Sequence, residues 1–177
     1  MKKYLLIFVF VLIAGITYSQ ELTLDQSIAQ SARDIEKEFA QNTMVVVLNF
    51  TSPSNSFSDY VIEELIGELL NGRKVAVVDR RNISAIMGEM NFQYSGFVSD
   101  ESMQSIGKML GAQTIVSSSL TDMGANYRFR IRIISVETAR IISQISLNLK
   151  KDSQVLYLMG GAKAMQEAER QQPKWLM

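Results

Sequence analysis

Met44-Val45-Val46-Val47-Leu48-Asn49-Phe50 is the stretch on which the fold turns. It is almost continuously apolar and rich in β-branched residues, the pattern of a strand buried on both faces and therefore of a parallel strand covered by helices. Thr51-Ser52-Pro53-Ser54-Asn55-Ser56 breaks the run and supplies several helix N-caps. The next residues put Phe57, Val61, Leu65 and Leu69 on one helical face, and Asn71-Gly72 supplies a stop. Val75-Ala76-Val77-Val78 is a second apolar strand. Strand, helix and strand within so short a span form a βαβ unit with a right-handed crossover.

Upstream of this unit, Leu24, Ile28, Ala32, Ile35 and Phe39 recur at spacings of three and four and mark an amphipathic helix over 24–40, capped by Thr23 or Asp25. Downstream, a helix starting near Asp79 or Asn82 runs through Met90, and residues 91–100 form a polar, aromatic loop. A short helix over 102–110 stops at Gly111, and 114–120 is a third strand. Two long strands close the pattern. In one, Tyr127, Phe129, Ile131 and Ile133 alternate with Arg128, Arg130 and Arg132. In the other, Ile141, Ile145, Leu147 and Leu149 share one parity against Gln144, Ser146 and Asn148. A period of two gives each strand one buried and one wetter face, and the turn at Glu137-Thr138-Ala139 makes the pair an antiparallel meander. A last helix over 152–169 turns Val155, Leu158, Met159, Ala162 and Met165 inward, with a break expected at Gly160-Gly161. The expected architecture is an α/β domain: a mixed sheet, built from the βαβ unit and the C-terminal meander, flanked by helices.

Composition narrows the function. The chain has 177 residues, 47% of them hydrophobic and 20% charged, which describes a globular protein of one domain. It has neither histidine nor cysteine. Zinc sites of the Cys/His type and Cys–His or Ser–His–Asp catalysis are thereby excluded, and no cofactor motif stands in their place. At the N-terminus, Lys2-Lys3, the apolar run from Leu5 to Ile16 and the small residues Thr17 and Ser19 read as a secretory signal peptide cut after Ser19. The organisation expected is a signal peptide over 1–19, one domain over 20–170 and a tail over 171–177. The stretch from Tyr4 to Ser19 is shorter than the roughly 20 residues that span a bilayer, and no lipid-anchoring cysteine follows it. Removing residues 1–19 leaves 16 basic against 18 acidic side chains, a net charge of −2 that does not attract nucleic acid or an anionic membrane. The expected location is the periplasm.

Three further stretches carry a resemblance. They are Val77-Val78-Asp79-Arg80-Arg81-Asn82-Ile83 through Ile86-Met87-Gly88-Glu89; Ile106-Gly107-Lys108-Met109-Leu110-Gly111-Ala112-Gln113 before Ile115-Val116; and 127–133 with Val136-Glu137-Thr138-Ala139-Arg140-Ile141 at the turn. In order and spacing, residues 45–149 resemble the CsgG/LpoB-like family, the domain shared by the curli assembly/transport component CsgG and the penicillin-binding-protein activator LpoB. Gln113, Ser118 and Ala139 depart from the family's usual acid, glycine and turn glycine. Residues 91–100 are too few for a membrane-spanning β-hairpin, whose strands each need about 9–11 residues, so the resemblance does not extend to a pore. It implies a non-enzymatic periplasmic adaptor acting on a cell-envelope protein, for instance a penicillin-binding protein in peptidoglycan synthesis. The alternative it implies is a structural subunit of an outer-membrane secretion or flagellar assembly, working as a homo-oligomer.

Two groups of residues are candidates for partner binding. Arg128, Arg130 and Arg132 project from one strand face about 6.8 Å apart, so their guanidinium forks can grip carboxylates. The commoner role of such a row is a solvated face that discourages edge pairing. Phe92, Tyr94 and Phe97 lie in the aromatic loop, either as an interface or folded back on the core. The acidic row of Asp59, Glu63, Glu64 and Glu68 reads as a solvated helix face. The 51–56 loop stands where α/β folds often bind ligands but lacks a phosphate-loop motif, so it reads as a cap.

Overall fold

A computed structural model describes residues 21–79, 81, 83 and 100–161. Its elements in chain order are α1 (Leu24–Lys37), β1 (Thr43–Thr51), α2 (Asn55–Gly72), β2 (Val75–Val77), α3 (Asp100–Met109), β3 (Thr114–Asp122), β4 (Tyr127–Ser135) and β5 (Ile141–Leu149). A final helix, α4, covers the described residues 153–161. The strands form one mixed sheet in the order β2-β1-β3-β4-β5. β1 runs parallel to both β2 and β3, while β3–β4 and β4–β5 are antiparallel. The mixed sheet expected from the βαβ unit and the meander is present. β1 is central to the parallel half, which explains its continuous apolar pattern: Val45 and Val47 enter one core and Val46 and Leu48 the other.

The larger core lies between the sheet and α1, α2 and α4. Phe57, Val61, Leu65 and Leu69 are fully buried along α2, and Leu24, Ile28 and Ile35 along α1. Burying each such side chain is worth about 1.5–3 kcal/mol. Phe50 stacks at a tilt on both Phe57 (5.6 Å between centroids) and Phe129 (5.4 Å), tying α2 to β1 and β4. Thr23, not Asp25, caps α1. Its hydroxyl accepts the Gln26 N–H at 3.3 Å while the Gln26 side chain accepts the Thr23 N–H at 3.1 Å, a complete capping box. α4 docks on the same core through Val155. Its Gln154 amide donates to Asp25 (3.2 Å) and to the Tyr60 hydroxyl (3.1 Å), and Tyr60 in turn donates to Asp25 (3.0 Å). One polar triad therefore joins α1, α2 and α4. The smaller core packs α3 against the other face, with Met103 and Ile106 on Ile115, Ile134 and Val136.

Three details differ from the pattern of the sequence. α2 ends on Arg73 in the left-handed conformation (φ 57°), one residue beyond the expected glycine stop. Gly72 meets a different need, because a Cβ there would run into the Glu36 side chain. The parity expected of Ile141 is reversed. A register shift between Ile133 and Ile134 pairs Ile134 with Ile141 and Ile133 with Ser143, so Ile141 leaves the face of Ile145 and Leu147 and is 54% exposed. A second shift, between Val47 and Asn49, brings Asn49 opposite Ser117.

Among the described residues the edge of β5 is closed at one end. Leu22 bridges to Leu149, its N–H donating to the Asn148 carbonyl and its carbonyl accepting from Lys150, each at 2.9 Å.

Candidate binding face of the sheet

The face that carries α3 divides into an apolar end under the helix and a polar end beyond it. Antiparallel register assembles the polar end from three strands. Arg128 lies between Thr121 and Asn148, Arg130 between Ser119 and Ser146, and Arg132 between Ser117 and Gln144. The other parity of β4 explains why the arginines point this way. Tyr127, Phe129, Ile131 and Ile133 are buried in the larger core, so the alternate residues must take the opposite face. Asn49 completes the polar end, its side-chain oxygen accepting from the Ser117 hydroxyl at 2.8 Å. The pattern of β1 alone did not reveal Asn49, because only the shift after Val47 turns it to this face.

All three arginines are half-buried. Arg132 has an interaction partner. Arg128 and Arg130 differ: the Nε atom of each is buried with no hydrogen-bond partner, and no ion pair among the described residues reaches them. Their cross-strand neighbours are hydroxyls and amides without charge. Such a row can accept oxyanions from outside, each held by a fork and a neighbouring hydroxyl.

Beside the row, Lys151 pairs with Asp122 at 2.6 Å and lies 4.5 Å over the Tyr127 ring. The Lys151 hydrogen bond, helped by the Gly124 N–H at 2.8 Å, holds the Asp122 carboxyl below its ordinary range. Burial pushes the Tyr127 phenol up. Asp79 behaves like Asp122, lowered first by the Arg81 side chain that binds both its oxygens at 2.7–3.2 Å.

Phe92, Tyr94 and Phe97 lie outside the described residues. The 51–56 loop is a cap and a dock: the Ser54 hydroxyl accepts the Phe57 N–H at 3.3 Å and donates to the Leu158 carbonyl at 2.6 Å, which fastens α4 over it. Among the described residues no group of three or more carboxylates stands where it could hold a metal ion. No helix among them is long and apolar enough to cross a membrane.

The family model of the curli production assembly/transport component CsgG matches residues 16–150. No curated protein matches the chain. Among solved structures, the LpoB C-terminal domain from Escherichia coli aligns with a TM-score of 0.64 at 13% identity, covering 73% of this chain and all (100%) of that one. The same domain from Salmonella enterica gives 0.62 at 14%, covering 70% and 96%. The solution structure of E. coli LpoB gives 0.54 at 14%, covering 77% and 73%. At such identities the likeness is one of fold.

Proposed function

The chain belongs to the CsgG family, and from that premise we propose that it is an exported, non-enzymatic adaptor of the cell envelope. It recognises a protein partner through the polar end of its sheet. The observation that carries this reading is the pair Arg128 and Arg130, two half-buried guanidinium groups on a rigid sheet with no counter-charge among the described residues. A buried polar atom left without a partner calls for an explanation, and a ligand that arrives from outside is one. The shared fold with the LpoB C-terminal domain, over 70–73% of this chain, is consistent with one domain, proposed to cover 20–170. The partner class proposed is an envelope enzyme such as a penicillin-binding protein. Arg132 is proposed to join Arg128 and Arg130, and Phe92, Tyr94 and Phe97 of the aromatic stretch are proposed as partner-binding residues beside the sheet face or in its place. Export follows from the signal-peptide pattern, with cleavage after Ser19.

The matching family model favours a second reading, a soluble structural subunit of an outer-membrane assembly. Mass measurement in solution separates the two, since an adaptor is expected as a monomer and an assembly subunit as a ring. The deciding experiment is crosslinking in the native envelope followed by identification of what is captured. Recovery of a penicillin-binding protein that is lost from an Arg128→Ser/Arg130→Ser/Arg132→Ser variant of unchanged melting supports the adaptor. Recovery of outer-membrane export components alone removes it.

A further inference from the structure

We propose that Arg128 and Arg130 receive two carboxylates from an extended acidic segment of the partner, with acidic side chains at alternate positions. This deepens the adaptor reading and rests on it. Residues two apart on β4 place their side chains about 6.8 Å apart on one face, and alternate residues of any extended segment repeat at the same distance. A segment laid along β4 therefore meets both arginines in register. Each site offers the same chemistry: a guanidinium beside a β3 hydroxyl, Thr121 at Arg128 and Ser119 at Arg130, with the Ser146 hydroxyl of β5 on the other side of Arg130. A planar carboxylate matches the planar fork, and the flanking groups can donate to its remaining lone pairs. The Nε atoms themselves are buried, so the ligand meets the outer edge of each fork, its two terminal nitrogens, and offsets a guanidinium whose inner nitrogen has no partner.

Overall charge favours an acidic peptide over a phosphate polymer. Without residues 1–19 the chain carries 16 basic and 18 acidic side chains, so no long-range positive field draws a polyanion, whereas two local contacts need none.

The test uses the exported protein and two end-blocked, fluorescently labelled tetrapeptides of one composition, Glu-Thr-Glu-Thr and Glu-Glu-Thr-Thr, read by anisotropy at low salt. The alternating peptide is expected to bind about tenfold more tightly than its isomer, the value of one charged hydrogen-bonded contact. Arg128→Gln/Arg130→Gln is expected to abolish the preference. Should that variant fail to fold, Arg128→Lys/Arg130→Lys decides, because it keeps the charge and removes the fork, and the preference should again be lost. Equal binding of the isomers, an unchanged preference in a folded variant, no binding of either peptide, or displacement by inorganic polyphosphate at lower phosphate than peptide carboxylate overturns the proposal. Envelope crosslinking keeps the two readings apart. A partner captured through Arg128 and Arg130 without peptide preference leaves the adaptor standing and removes the acidic strand. Peptide preference with no captured partner removes the adaptor.

Discussion

At the scale of single residues, the backbone carries costs that substitution can expose. Ala139, in the β4–β5 turn, sits at φ 55°, where a Cβ crowds the following carbonyl and costs about 1–2 kcal/mol. Glycine is free of that clash and loses part of the gain to its larger unfolded-state entropy. Ala139→Gly should therefore raise stability by about 0.5–1 kcal/mol in urea unfolding, and an unchanged or lower midpoint would contradict it. Two glycines answer differently to alanine. At Gly107 an added Cβ comes 2.7 Å from the Val136 Cγ2 and 3.2 Å from the Ile115 Cδ1, both in the smaller core. Gly107→Ala should cost about 1–3 kcal/mol by overpacking. At Gly72 the obstacle is the end of the flexible Glu36 side chain, whose Oε1 is buried without a partner. Glu36 can swing away into water, so Gly72→Ala should be close to neutral. Equal melting losses in the two variants would refute this contrast. The left-handed conformations of Arg73 and Ala139 were not legible in the sequence. Arg73 and Ala139 adopt by context what glycine adopts by chemistry.

At the scale of elements, periodicity located the strands and helices well because each buries a face of its own. The run of β1, the four apolar positions of α2 and the alternation of β4 all reappear as buried residues. The same logic missed the register shifts. A bulge adds one residue to one strand, and no local pattern reveals it, since its position is chosen by the neighbouring strand. Hence Ile141 emerged on the solvated side and Asn49 joined the polar face. The Tyr60–Asp25 bond between α2 and α1 has a pH signature. Burial first, and then the Asp25 carboxylate it donates to, push the Tyr60 phenol above its ordinary value near 10. A raised folded-state pKa favours the protonated form in the native protein. The stability it contributes is intact below the ordinary value and is lost as pH climbs through the raised one. The urea midpoint should therefore fall above about pH 10. In Tyr60→Phe the fall should be shallower but not absent, because burial raises Tyr127 in the same direction. Parallel curves for the two proteins would rule out the triad as the cause.

At the scale of the whole molecule, one face of the sheet is shared unequally. α1, α2 and α4 cover the side of Phe129 and Ile131, whereas on the other side α3 packs on the end nearest Ile115 and Ile134. Arg128 and Arg130 lie beyond that apolar end, and a half-buried charge with no partner among the described residues is costly to the fold that holds it. Replacing both with glutamine should leave the melting temperature unchanged or raise it, even as partner capture is lost. A clear fall in melting temperature would mean that the arginines serve the fold.

The sequence by itself determined the export signal pattern, the exclusion of histidine and cysteine chemistry, the mixed α/β class and the arginine row, because each follows from composition or from a repeat within one element. Only the tertiary structure decided the strand order β2-β1-β3-β4-β5, the two register shifts, the docking of α4 and the lack of a counter-charge for Arg128 and Arg130 among the described residues. Those depend on pairings between residues far apart in the chain and on which helix wins each face of the sheet. A periodicity confined to one element cannot encode either.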